Sequence, residues 1–390
     1  MESSETMTTM PIAVLTAAFE ESVIAAGMDA ELDAKHDGRG VVISWPSVPI
    51  EIIRAAGLVP IIARGGMSAT PTADAYLESG IFPGRIRMLA EAALTGRLSS
   101  AARIIVPRTS DPDYKFFLYL REFVRLGLTP ALPPVVLFDL LQSEGPDVRS
   151  YNSARSRDLL HELTKVSDRL VSLDDVRHEI TRANTARSAS RRLLRLRRGI
   201  PRVTGAEVFP LLCAFWSVDP EVYAALAGAA ADEIARRPPL AGPRVLLAGA
   251  PVDGTALHSA IEARGAIVVS EIGPWTNGAA GADVVCDDDP MTALADKYCA
   301  DAIGPRTPAA QLQGTVADLL DDVDAVVVSL PGEDMTFGWD YPAFRNLARA
   351  KGIPHTCLSS DSCGVVSAAD EERLDTLITP LPVRTEVRRG

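Results

Sequence analysis

The sequence lacks most signatures of common catalytic sites. It has no Cys-x-x-Cys pair, and its five cysteines and five histidines are scattered through 390 residues. His36, His161, His178, His258 and His355 show no His-x-x-x-His or His-Glu-x-x-His spacing, so a metal site has no support. An odd number of widely spread cysteines does not read as a disulfide framework. Gly249-Ala250-Pro251 lacks the Gly-x-Gly-x-x-Gly pattern of a nicotinamide site. There is no Walker A loop and no Gly-x-Ser-x-Gly elbow. Basic residues are in deficit: the net charge is −12 and the pI about 5.0, which argues against general nucleic-acid binding. No stretch approaches the roughly 18 uncharged apolar residues of a membrane span. Met1 to Met10 is polar and acidic, and the apolar run Pro11 to Phe19 has no basic segment before it. The expectation is no secretory signal and a cytoplasmic location.

What is present is a globular composition, 47% hydrophobic, in a chain long enough for two or three domains. Residues 11–35 carry helical periodicity. Gly40 to Trp45 is a β-branched run suited to a buried strand, Ile50 to Ala56 a helix closed by Gly57, and Leu58 to Ile62 the next strand. The rhythm continues through a helix at Arg85–Thr95, a strand at Ala102–Pro107, a helix at Asp113–Leu126 and a strand at Pro134–Asp139. From Ser150 to Arg237 strands vanish and helical periodicity takes over. Strands return at Arg244–Ala248, Ala266–Ser270, Val323–Ser329 and Pro354–Leu358. The expected fold is α/β: two open parallel-sheet domains, flavodoxin- or Rossmann-like, with a helical insert. The expected boundaries are 1–37 for an N-terminal helical segment, 38–149 for the first α/β domain, 150–242 for the insert and 243–390 for the second α/β domain.

In open α/β sheets ligands gather outside the carboxyl ends of strands. Here those ends are Ser44–Pro49, Pro107–Asp111, Asp139, Gly249–Asp253, Glu271–Gly278, Leu330–Asp334 and Ser359–Cys363. Two such rows would make an interdomain cleft.

The run from Val48 to Pro60, Val-Pro-Ile-Glu-Ile-Ile-Arg-Ala-Ala-Gly-Leu-Val-Pro, resembles the opening of 2-hydroxyacyl-CoA dehydratase subunits, relatives of benzoyl-CoA reductase subunits. Arg103–Asp111 is similar to that family's second strand and ligand loop, and Arg244–Pro251 to the start of its second domain. Trp339-Asp340-Tyr341-Pro342 and Gly352-Ile353-Pro354 resemble later segments, so the likeness runs over about residues 38–385. The resemblance implies a pair of homologous subunits, an ATP-dependent activator that delivers an electron, and a [4Fe–4S] cluster held by three cysteines from three loops. The substrate would be a CoA thioester that is dehydrated through a ketyl radical anion.

At all three ligand loops this chain departs from the pattern. They read Ser79-Gly80-Ile81-Phe82-Pro83, Pro107-Arg108-Thr109-Ser110-Asp111 and Gly332-Glu333-Asp334-Met335. Phe82, Ser110 and Asp334 stand where the cysteines belong. Phe cannot ligate, and Ser and Asp are hard oxygen donors in a site that suits soft thiolates. The expectation is no cofactor in this chain and a [4Fe–4S] cluster in a partner subunit.

Candidate site residues follow, each with a plainer alternative. Ser110 and Asp334 are candidates for acid–base work. Ser110 with Asp111 also reads as a helix cap, and Asp334 as a solvated loop acid beside Glu333. Candidate substrate contacts are Ser47, Glu51, Arg103, Arg108, Trp275, Thr276 and Asn277. Trp275 to Gly278 reads equally as an Asn-Gly turn. Arg85, Arg103 and Arg108 are candidates for the CoA phosphates. The series Arg187, Arg191, Arg192, Arg195, Arg197 and Arg198 reads first as a solvated helix face.

Two functions compete. One is the cluster-free half of a heterodimeric dehydratase, a carbon–oxygen lyase as a complex. The other is a stand-alone acyl-CoA-binding protein or non-redox enzyme that reuses the fold.

Overall fold

The computed structural model describes residues 10–21, 38–65, 69–78, 80–300, 304, 306–332, 334, 336–359 and 366–385. Ser79, Glu333, Met335, Cys363, His36 and residues 22–35 of the expected N-terminal helix lie outside them. Within that helix, Met10–Glu21 is helical.

Among the described residues, eight parallel strands form two four-stranded sheets. The first contains β1 (Gly40–Ile43), β2 (Val59–Ile62), β3 (Arg103–Pro107) and β4 (Val135–Phe138), in the order β2-β1-β3-β4. The second contains β5 (Arg244–Gly249), β6 (Ile267–Glu271), β7 (Ala325–Ser329) and β8 (His355–Leu358), in the order β6-β5-β7-β8. The two sheets share one plan. All pairings are parallel, as helical crossovers require. The central strands β1, β3, β5 and β7 are buried at every position, which explains why they read as unbroken apolar runs rather than alternating ones. The α/β fold with two parallel-sheet domains is as expected.

Local chemistry sets the ends of the elements. The helix Ile50–Ala55 stops at Gly57, whose φ of 72° favours glycine. Gly57 N donates to Arg54 O and Leu58 N to Ile53 O, which satisfies the last carbonyls and turns the chain into β2. Gly249 closes β5 at φ 99°, and a Cβ there would lie 2.3 Å from Ser329 O, so the β5 and β7 backbones can meet only through glycine.

The chain divides into two compact units. One comprises Glu21–Ala186 with Gly281–Arg306 and holds the first sheet. The other comprises Met1–Glu20, Arg187–Ala280 and Thr307–Gly390 and holds the second. In the first unit the helix Pro290–Ala300 packs on Pro146–Thr164. Arg149 and Asp296 bridge them at 2.7 Å, and Ser153 and Thr292 share a 2.8 Å hydroxyl bond.

Two local expectations are corrected. Trp275 to Gly278 is no turn but part of the helix Pro274–Ala280. Pro274 suits a first turn, Asn277 Oδ1 accepts from Gly273 N at 3.0 Å, and Gly278 leaves room for the Trp216 ring, which a Cβ would meet at 2.7 Å. The arginine series is not uniformly solvated either. Within the helix Leu173–Arg197, Arg187 is buried over the Phe215 ring and Arg197 is buried against Glu271, whereas Arg192 and Arg195 are exposed.

Candidate functional site

The carboxyl ends of β1, β3 and β4 form the ligand edge of the first sheet. Its centre is a buried ion pair. Arg85, on the helix Gly84–Leu94, donates through Nη2 to Asp113 Oδ1 at 3.2 Å and through Nη1 to Ser44 O, and its guanidinium lies 4.4 Å over the Trp45 ring. Asp113 also accepts from Thr109 Oγ1 at 2.5 Å and Ser110 Oγ at 2.6 Å. Asp113 N in turn donates to Ser110 Oγ at 3.2 Å, which makes Ser110 the N-cap of the helix Asp111–Arg125. One carboxylate thus ties the loop after β3 to a guanidinium that holds the end of β1. The Ser44 and Ser47 hydroxyls, on the loop after β1, have no partner among the described residues.

The other candidates of this unit fall at distinct places. Glu51 is wholly buried on the helix after β1 and accepts from Tyr298 Oη at 2.9 Å, while Ile50 N donates to the same phenol. Arg103 opens β3, so it sits at the opposite end of the strand from the ligand edge, with Nη1 on Ala102 O. Arg108 directly follows β3 at the ligand edge, where it pairs with Asp139 at 3.1 Å and lies 4.8 Å over Tyr114.

Trp275 and Thr276 are buried at the ends of β5 and β6. Trp275 Nε1 donates to Asp253 Oδ1 at 3.0 Å, and Trp275 O accepts from Trp216 Nε1 at 2.9 Å. The cavity they line with Ala250, Val252, Glu271 and Gly273 is about 10 Å³, room for one water at most. Behind it Glu271 accepts from Arg197 at 2.7 Å and is 2.7 Å from His258 Nε2. Burial pushes the Glu271 carboxyl up, but Arg197 and His258 outweigh it and hold the group down at about 2. Asp334 is no freely solvated loop acid: it accepts from Phe337 N at 3.2 Å and Gly338 N at 2.8 Å, capping the helix Phe337–Ala350. Burial and the Asp334 charge raise the carboxyl of Asp340 above the ordinary range.

The residues that the resemblance puts at the three cluster-ligand positions do not suit a [4Fe–4S] cluster. Phe82 has no donor atom and is 2% exposed in an apolar cluster with Leu77, Ile86 and Phe116, edge-on to Tyr119 at 5.5 Å. The Ser110 hydroxyl and the Asp334 carboxylate are hard donors already committed to helix starts. Two of the described cysteines, Cys299 and Cys357, offer poor thiolates. Burial, aided by Asp296, pushes the Cys299 thiol up to about 11. Burial, with Asp370 adding and Arg373 opposing, also raises Cys357. No group of three His, Cys, Asp or Glu is arranged as metal ligands among the described residues.

The family model for the D-component of 2-hydroxyglutaryl-CoA dehydratase matches residues 47–379. The chain belongs to this family. No curated protein matches it. The family match begins at Ser47, on the loop after β1, and ends at Thr379, just past the helix Ala368–Ile378, so it takes in seven complete strands and the ligand loops of both sheets. No helix among the described residues is long and apolar enough to cross a membrane.

Several residues that matter to these edges carry a weak signal in the sequence, or none. Asp113 had a signal: Ser110-x-x-Asp113 is the spacing of a capping pair. Asp340 lies in the Trp-Asp-Tyr-Pro segment, which by itself gives the residue no role. Tyr298 and Arg306 reach the edge from 247 and 198 residues away and leave no local trace.

Proposed function

We propose that this chain is a subunit of a 2-hydroxyacyl-CoA dehydratase-like complex, and the cluster-free half of its heterodimer. A homologous partner subunit carries the [4Fe–4S] cluster and dehydrates or reduces an acyl-CoA thioester, a carbon–oxygen lyase reaction of the complex. An ATP-dependent activator supplies its electron, and the complex works in the cytoplasm. The observation that carries this reading is the set Phe82, Ser110 and Asp334, in a chain that keeps the family match over 333 of its residues (47 to 379). An apolar ring and two committed oxygen donors stand at the ligand places, so no step of the reaction is routed through a cluster on this chain. Its own contribution is a binding surface with fixed polar groups. The Arg85–Asp113 pair keeps the ends of β1 and β3 in place, with the buried hydroxyls of Ser44 and Ser47 behind them.

The test is reconstitution of the purified single chain with iron and sulfide under anaerobic conditions. The expected result is no tightly bound cluster. A stable cluster ligated by cysteines of this chain sinks the proposal.

The packing of Phe82 favours one second reading. The ring packs into the apolar core of the first unit, which suits a stand-alone acyl-CoA binder or non-redox enzyme that reuses the fold. That reading requires acyl-CoA binding by the lone chain without a partner, measurable by calorimetry. Absence of binding removes it.

A further inference from the structure

The ligand edge of the first sheet carries a second feature, outside the Arg85–Asp113 pair. Arg108 follows β3 and Asp139 follows β4, and the two strands are in register at Pro107 and Phe138. Arg306 comes back to this corner from the far end of the unit. Its Nη1 donates to Asp139 Oδ1 at 3.0 Å and to Arg108 O at 2.8 Å. Arg108 Nη1 takes the other oxygen, Asp139 Oδ2, at 3.1 Å. One carboxylate therefore holds two guanidiniums side by side, and the three groups sum to one positive charge.

Neither guanidinium is saturated. Each is a fork of five N–H donors, and the contacts seen among described residues use only Nη1 of each. Arg108 is 44% exposed and Arg306 33%, while Asp139 is 14% exposed and lies beneath them. Arg108 is further fixed by the Tyr114 ring. The helix Asp111–Arg125 starts three residues after Arg108, so its positive end adds to the same corner. Asp111, exposed in the first turn of that helix, is the nearest opposing charge along the chain.

We infer that Arg108 and Arg306, positioned by Asp139, form a binding site for a phosphate group. Two adjacent forks with unused donors match the oxygens of a phosphate dianion, which a single lysine-like charge does not. A surface ion pair made only for stability needs one arginine per carboxylate and gains little from the second. The phosphate can belong to a coenzyme, a nucleotide or the free ion, and all three share this chemistry. The inference requires neither an iron-bearing partner nor a thioester substrate, so it stands or falls separately from the proposed function.

The experiment is isothermal titration of the iron-free single chain, in phosphate- and sulfate-free buffer at low salt, with CoA, dephospho-CoA, ADP and inorganic phosphate. The expected result is saturable binding of at least one of them that weakens as salt is raised. R306Q and R108Q should each weaken that binding by about ten-fold or more, and R306K, which keeps the charge but loses the fork, should fall between. Preference for CoA over dephospho-CoA marks a terminal phosphate monoester. Equal binding of these two together with ADP marks a diphosphate. Binding of inorganic phosphate alone marks the free ion. Each outcome, together with the loss in R306Q and R108Q, places a phosphate at the pair. Thermal melts of the variants separate loss of binding from loss of fold. No saturable binding of any of the four, or unchanged binding in well-folded R306Q and R108Q, overturns the inference.

Discussion

At the scale of single residues, burial and charge set two opposite pH responses. Glu271 is held at about 2 against an ordinary value of 4.5, so its ionised form is favoured by folding. Its contribution is fully present above the ordinary value and is lost as pH falls from about 4.5 toward 2. Arg197→Met should leave the carboxylate buried with only His258. We expect a loss of about 3–5 kcal/mol near neutral pH, the usual cost of breaking a buried pair. An acid transition moved to higher pH, followed by circular dichroism, checks the same point. Unchanged acid stability would remove the pair from the account. Asp340 has the reverse sign. Its carboxyl is raised by burial and by Asp334, so folding favours the neutral acid and the charge costs stability above its folded value. Asp340→Asn should therefore stabilise the chain at neutral pH, and the gain should vanish below the ordinary value of 3.8. Denaturant melts at the two pH values decide it, and destabilisation at neutral pH would contradict the sign.

Elements are where sequence and structure can be compared most sharply. The four central strands were legible because they are buried on both faces and leave unbroken β-branched runs such as Gly40-Val-Val-Ile and Ala325-Val-Val-Val. The helix start at Ser110 was legible from Ser and Asp before a proline. The helix Pro274–Ala280 was not, because Asn277-Gly278 is a strong turn signal and only the approach of the Trp216 ring reveals why a glycine is needed. Buried arginines are equally opaque: Arg187 and Arg192 are alike in sequence, and only tertiary contacts with Phe215 and Asp232 separate them. The Arg85–Asp113 pair yields its own test at this scale. Asp113→Ala removes the carboxylate that a buried guanidinium and two hydroxyls share, and we expect a loss of about 3–5 kcal/mol. Ser110→Ala removes one cap and should cost only about 1 kcal/mol. Equal costs for the two variants in urea melts would deny Asp113 its central place.

For the whole molecule, the two sheets repeat one order of strands, and the family match runs across both. The recurring plan explains why the family could be read from short segments in sequence order, although no single segment decides it. Long-range placement could not be read. Residues 281–306 return to the unit of the first sheet and deliver Tyr298 and Arg306 to its ligand edge, and no local pattern announces that return. The central claim is that the chain keeps the dehydratase fold and leaves the cluster to another subunit. The most direct measurement is anaerobic affinity purification of the native chain, with iron, sulfide and subunits quantified in the eluate. The account predicts a homologous second subunit and about four irons per pair, the content of one [4Fe–4S] cluster. Iron that stays with this chain after the partner is removed, lost on alkylation of its own cysteines, would contradict it.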